Sequence, residues 1–126
     1  MEIHKLDRDG MPEEYGVRVQ RLMPWQALNA PFEGAWCVIE PGKATDPHSH
    51  DEYEIFIAIS GEGELEAEGE HSSFRPGDVV HFPPGRRHQV INVGESDFQF
   101  YSVWWDPAMS ASFTARDAGG QHAAEA

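Results

Sequence analysis

The sequence predicts an all-β fold, a sandwich or small barrel, in a single domain. Three observations carry this. About seven or eight short runs of β-forming residues follow one another at strand spacing. Helical periodicity is almost absent, with one short exception near the C-terminus. The chain of 126 residues contains 12 Gly and 9 Pro, which suits many strands joined by tight turns.

Residues 1–15 are polar, with Gly10 and Pro12, and read as an N-terminal arm. Val17 to Leu22 alternates as a strand does, Pro24 interrupts it, and Asn29 to Pro31 reads as a turn. Ala35 to Ile39 is a short apolar strand, followed by a loop from Glu40 to Pro47. Tyr53 to Ile59 is the strongest strand signal, aromatic and branched throughout. Its odd positions (Tyr53, Ile55, Ile57, Ile59) and its even positions (Glu54, Phe56, Ala58) are both largely apolar, so its second face needs a cover, from the arm or from another subunit. Glu64 to Glu68 alternates acid with apolar, and Gly69 turns the chain into the next strand. Val79 to Phe82, Gln89 to Val93 and Phe98 to Trp105 complete the set. The barrel is expected over 16–107, with 108–126 as a short helix or disordered tail.

Charge excludes some partners. Nine Lys and Arg against 22 Asp and Glu leave a formal charge of −13, which repels phosphate backbones and anionic membranes. No run of the roughly 20 apolar residues needed to span a bilayer is present. The opening residues MEIHKLDRDG lack an apolar stretch, so no signal peptide is expected. Cys37, the single cysteine, can form no internal disulfide, which suits a reducing, cytoplasmic setting; between Trp36 and Val38 it reads as a small buried hydrophobe.

The chemistry gathers around His48, His50, Glu54 and His88. His48 and His50 are two apart at the start of a strand and share the parity of Glu54, so all three face one side. With His88 they offer three imidazoles and a carboxylate, a donor set that suits Fe(II), Mn, Ni, Cu or Zn. The spacing is specific. Gly42 is followed after five residues by His48, Ser49 and His50, after three more by Glu54, and after six more by Gly61. Gly77 is followed after five residues by Pro83, Pro84 and Gly85, after two more by His88, and after three more by Asn92. These two stretches resemble the first and second motifs of the cupin superfamily, across roughly residues 40 to 92, with no ligand position departing from the pattern. The resemblance implies a double-stranded β-helix, the jelly-roll or cupin barrel, with one divalent transition metal ion held in its lumen by His48, His50, Glu54 and His88.

Around that centre the candidates for substrate contact are Arg86, Arg87, Phe56, Tyr101 and Trp104. Arg86 and Arg87 precede His88 at the barrel mouth, where a cationic pair can hold a carboxylate; the competing reading pairs them with nearby Glu. Arg18 and Arg21 are weaker candidates of the same kind. Phe56 and Ala58 share the parity of Glu54 and are expected to line the cavity. In the last strand one alternate set, Phe98, Phe100, Ser102 and Trp104 or Gln99, Tyr101, Val103 and Trp105, faces the lumen. His81 reads as an exposed side chain, and His4, His71 and His122 as solvated. Asn92 reads as a turn residue, and Asp78 as a bonder of turn amides.

The functional expectation is a metal-dependent enzyme acting on a small organic molecule, in which Glu54 doubles as ligand and base. The resemblance implies dioxygenase-type chemistry first. The alternatives are rearrangement, isomerase or lyase chemistry on zinc, including N–N bond formation with a methionyl-tRNA-synthetase-like partner, and a non-catalytic binding or sensor module. A homodimer is expected from the two-faced strand Tyr53 to Ile59.

Overall fold

The structure is a computed structural model, and it describes residues 1–22 and 31–118. The expected break at Pro24 and most of the turn at Asn29–Pro31, like His122 and the end of the tail, lie outside the described residues. Nine strands precede one helix: β1 (Glu13–Glu14), β2 (Val17–Arg21), β3 (Glu33–Ile39), β4 (Tyr53–Ser60), β5 (Gly63–Ala67), β6 (Glu70–Phe74), β7 (Val79–Phe82), β8 (His88–Asn92), β9 (Phe98–Trp105) and α1 (Pro107–Ala118). They form two antiparallel sheets, a six-stranded one in the order β1-β2-β3-β9-β4-β7 and a three-stranded one in the order β6-β5-β8. This is the jelly-roll arrangement, a double-stranded β-helix.

Alternation decides what faces inward. In β4 the even residues Glu54, Phe56 and Ala58 are buried, and in β9 it is Phe98, Phe100 and Ser102. The core unites them with Val17, Val19, Cys37 and Ile39 from the larger sheet and Leu65, Phe74 and Val90 from the smaller one. The ring of Phe98 meets that of Phe74 at 5.6 Å and bridges the two layers, while Phe100 meets Phe56 at 4.8 Å within the larger sheet.

Turns place the motif glycines. Gly42, Gly61, Gly77 and Gly85 all have positive φ. Gly61 is the most constrained: at φ 96° a side chain there is strained, and an added Cβ would lie 2.6 Å from the Asp97 carbonyl oxygen. Asp78 accepts a hydrogen bond from the Arg75 amide at 2.9 Å, as a turn-capping carboxylate does. Asn92 is fully inside; its amide donates to the carbonyls of Ile39 and Ser96, and its oxygen accepts from Gly94 N–H.

The segment expected as a free arm is partly built into the barrel. Met11 is buried, and Glu13–Glu14 pair with β2 through a two-residue turn at Tyr15–Gly16 with positive φ at both positions. Further out, the arm is pinned where Arg8 grips Asp97 with Nε and Nη2 at 2.9 and 3.0 Å. Two segments border the outer face of the large sheet. His4 and Leu6 approach Trp36 and Tyr101, while Met109 and Phe113 of α1 border a groove with Val103 and Trp105. Neither leaves the β4–β7 region fully covered, since Ile59 and Val79 are exposed. No helix among the described residues is long and apolar enough to cross a membrane.

Candidate metal centre

His48 and His50 do not lie on β4, contrary to the continuous-strand reading. They sit in the extended segment ahead of it, separated from Glu54 by a bend at 51–52. Backbone pairing with the second motif fixes them instead. His48 and His88 exchange amide–carbonyl bonds of 3.3 and 3.0 Å, and the Gly85 amide donates to the His50 carbonyl at 2.7 Å. The turn stiffened by Pro83 and Pro84 is thereby stitched to the His48–His50 segment. One ligand atom from each of His48, His50, Glu54 and His88 lies within 4.8 Å of the others.

The imidazoles are oriented from behind. His48 Nδ1 is 2.8 Å from the Asp46 carbonyl and His88 Nδ1 is 2.8 Å from the Arg86 carbonyl. A carbonyl only accepts, so both Nδ1 atoms carry a proton, and in the neutral rings both Nε2 atoms then present a lone pair. Phe82 stacks on the His88 ring at 4.1 Å, and Phe56 meets it edge-on at 5.4 Å. Glu54 is buried. Its Oε2 accepts the Ser102 hydroxyl at 2.7 Å, and its Oε1 is 3.1 Å from His50 Nε2 and 2.9 Å from His88 Nε2. Burial by itself pushes the Glu54 carboxyl up. The Ser102 hydroxyl bond, the contact with His88 and the charge that His88 and His50 carry when protonated together outweigh it and hold the group below the usual carboxylate range.

One observation tests the fit of a metal. His88 Nε2 is buried and has no hydrogen-bond partner, although a carboxylate oxygen lies 2.9 Å away. An unsatisfied buried nitrogen costs about 1–3 kcal/mol. A bare nitrogen lone pair facing a carboxylate is relieved by a cation between them. Three imidazole nitrogens and one oxygen suit a borderline divalent ion. The residues present fit the group.

His48, His50 and Glu54 border a cavity of about 270 Å³ in the barrel. Phe56 and Trp104 line it, as expected, together with Phe100 and Ser102 of the same inner faces. Tyr101 does not. It lies on the odd parity of β9, outside the barrel, against Trp36 at 5.2 Å. Arg86 and Arg87 do not line it either. They belong to the turn ahead of β8, which lies beside the tip of the β5–β6 hairpin. Arg86 pairs there with Glu68 at 3.5 Å and Glu70 at 2.8 Å, and the Arg87 amide donates to Glu68 at 3.5 Å. The pairing with nearby Glu is therefore the observed one. The Arg that borders the cavity is Arg21, whose guanidinium lies 5.3 Å from the centroid of the Trp104 ring. Arg18 faces outward to Glu40 at 3.4 Å. His81 is exposed and stacks on Tyr53 at 5.7 Å. Cys37 is buried at the cavity wall, and burial pushes its thiol far up, out of reach of a reactive thiolate.

Two contributors to the site were not singled out from sequence. Glu14 and Tyr15 come from the supposed arm. Tyr15 stacks on His48 with 4.7 Å between centroids and 19° between planes, and its carbonyl accepts the Asp46 amide. The sequence offered only a weak signal, the glycine at Gly16, because Tyr-Gly is not one of the dipeptides that mark such a turn although both residues adopt positive φ here.

A family model described as a cupin domain matches residues 35–104. The chain belongs to the cupin superfamily. Two solved structures are close in fold. A Cupin 2 conserved barrel domain protein from Salinispora arenicola is 52% identical, with TM-score 0.80, over 92% of this cupin and 98% of that chain. The plu4264 protein from Photorhabdus luminescens is 41% identical, with TM-score 0.79, over 90% and 95%. Among curated relatives, a 5-nitrosalicylic acid 1,2-dioxygenase of Bradyrhizobium is 32% identical over 56% of this cupin and 35% of its own length. A glucose-6-phosphate isomerase of Pyrococcus furiosus is 31% identical over 56% and 44%. An oxalate-binding protein of Thermotoga maritima is 32% identical over 52% and 54%. This cupin thus spans about a third to a half of the length of the curated relatives it matches.

Proposed function

We propose that this cupin is a metal-dependent enzyme acting on a small organic molecule, with dioxygenase-type chemistry as the leading class. The observation that carries the proposal is the convergence of four donor atoms, one of them the unpartnered His88 Nε2, beside a cavity with aromatic walls. His48, His50, His88 and Glu54 would hold a divalent transition metal ion. When bound, such an ion supplies a Lewis acid at neutral pH or a redox partner for dioxygen, according to its identity.

The chain's own residues contribute the rest. The buried Phe56 and Phe100 keep water from the cavity wall, and with the half-buried Trp104 they offer apolar area to the substrate body. The carbonyls of Asp46 and Arg86 accept the His48 and His88 Nδ1–H groups and so leave both Nε2 atoms as the ones available to a metal. Ser102 holds Glu54 Oε2 and leaves Oε1 to face the imidazoles. Glu54 is held on the ionised side by these contacts, and a carboxylate so placed can take up a substrate proton if it leaves the donor set.

The dioxygenase relative supports the leading class, and the isomerase relatives support a second one, isomerisation of a small hydroxy- or oxo-compound on the same donors. The oxalate-binding relative supports a third, binding without turnover. Metal content of untagged protein, by plasma mass spectrometry with His48→Ala as control, tests the shared premise. Stoichiometric iron directs the search to oxygen-consuming reactions of small acids and phenols. Stoichiometric zinc replaces the dioxygenase reading with rearrangement, isomerase or lyase chemistry. A wild-type protein as metal-poor as the variant overturns the enzyme reading.

A further inference from the structure

The mouth of the cavity carries a second recognition element, separate from the metal donors. Arg21 is the one Lys or Arg among the described residues that line it. The guanidinium of Arg21 lies 5.3 Å from the centroid of the Trp104 indole, and Trp104 stands directly opposite Glu54 in the β9–β4 register. A guanidinium has five N–H donors in a planar fork. Among the described residues, the Arg21 guanidinium donates from Nη2 to Glu14 Oε1. Glu14 belongs to the β1–β2 hairpin, whose turn residue Tyr15 stacks on the metal-donor candidate His48. The chain's own carboxylate thus occupies a cation at the entrance of the site. Arg21 is exposed, at 44%, and Glu14 is partly so, at 32%. Exposed pairs of this kind are weak, and a ligand carboxylate can take the place of Glu14.

We propose that Arg21, bedded on Trp104, is the specificity-determining residue for a small planar carboxylate, with Glu14 as the intramolecular stand-in that the substrate displaces. The substrate class that follows is an aromatic or short conjugated acid. Its flat body lies along Trp104, and its carboxylate pairs with the Arg21 fork. The remaining functional group points toward His48, His50, Glu54 and His88. The flat indole bed favours a planar anion over a tetrahedral one, and the fork geometry favours two parallel N–H···O bonds. This inference rests on reading the cavity as a substrate site, but it does not depend on a metal being bound.

The experiment therefore uses metal-free protein, prepared with a chelator, alongside His48→Ala. Benzoate, its neutral analogue benzamide, and inorganic phosphate are titrated by calorimetry. The Trp104 indole N–H resonance, assigned with Trp104→Phe, is followed by NMR. The expected result is benzoate binding that moves the Trp104 resonance and is about tenfold tighter than benzamide. Arg21→Gln removes that preference without changing benzamide binding, and Arg21→Lys restores it only in part. Glu14→Gln, which removes the competitor, tightens benzoate several-fold. Benzoate affinity that is unchanged in Arg21→Gln, or not improved in Glu14→Gln, overturns the proposal. So does absence of benzoate binding in wild type. Phosphate binding tighter than benzoate overturns the carboxylate assignment in favour of phosphate esters. The two readings fail separately. A metal-poor wild type that shows Arg21-dependent benzoate binding removes the metal enzyme and keeps this subsite, and a metal-replete protein indifferent to Arg21 does the reverse.

Discussion

Removing the Ser102 hydroxyl tests the electrostatics of the centre most directly. Ser102 is buried at 4% exposure, and its Oγ donates to Glu54 Oε2 at 2.7 Å. Glu54 is likewise 4% exposed, so Ser102→Ala leaves a buried carboxylate oxygen without this donor. Hydrogen bonds to charged groups contribute about 1.5–3 kcal/mol, and the volume lost is a single oxygen, so a loss of about 2 kcal/mol is expected at neutral pH. For a domain of this size that lowers Tm by roughly 8 °C. The pH dependence separates this cause from simple packing. The hydroxyl favours the ionised form and helps hold Glu54 below its unfolded value. A depressed carboxylate contributes stability that is present above the unfolded pKa, about 4.3, and is lost as pH falls through the folded pKa. Ser102→Ala raises the folded pKa, so the variant loses that contribution at a higher pH than wild type. The stability difference is therefore full at about pH 7 and shrinks once both carboxyls are protonated. Urea denaturation of chelator-treated protein across this range measures it. A difference that is the same at acid and neutral pH, or below about 0.5 kcal/mol at neutral pH, refutes the reasoning.

Further outcomes follow from other parts of the molecule. Zn(II) or Co(II) at about 100-fold its Kd raises the stability of wild type by roughly 2.7 kcal/mol; His88→Ala abolishes that rise, as thermal scans with and without chelator will show. Acid also reverses it, because protons compete with the metal for the same nitrogens. Gly61→Ala combines a positive φ with a Cβ 2.6 Å from the Asp97 carbonyl; it is expected to cost at least about 1–3 kcal/mol in urea denaturation, and a neutral effect would mean that the β4–β5 corner is free to shift. We propose a homodimer through the β4–β7 outer face, where Ile59 is 40% and Val79 is 62% exposed. Light scattering is expected to give twice the single-chain mass, Ile59→Lys with Val79→Lys the single mass, and a monomeric wild type would sink the idea.

Much of the architecture was legible because strand signals are local. The alternation in Tyr53 to Ile59 sorted Glu54, Phe56 and Ala58 onto one face, and the same faces are buried. The four metal-donor candidates were legible from spacing, yet the geometric argument for them was wrong in one step. His48, His50 and Glu54 do not share a strand, and backbone bonds to His88 and Gly85 supply the convergence. Parity in β9 offered two faces, and only the register against β3 and β4 put Ser102 and Trp104 inside and Tyr101 outside.

The cations show the limit most sharply. Arg86 and Arg87 are neighbours of His88 in sequence, but a side chain's direction at a turn depends on which hairpin packs beside it, and here Glu68 and Glu70 take them. Arg21, remote in sequence, reaches the cavity because β2 joins the large sheet beside β3. Glu14 and Tyr15 carry no local pattern that distinguishes a barrel strand from an arm, because a two-residue strand is too short to show periodicity. By itself the sequence determined the strands, the turns and the donor set, since propensity, positive-φ glycines and ligand chemistry are properties of short stretches. The tertiary structure alone decided which face becomes the lumen and which charges border it, since both depend on pairings between residues far apart in the chain.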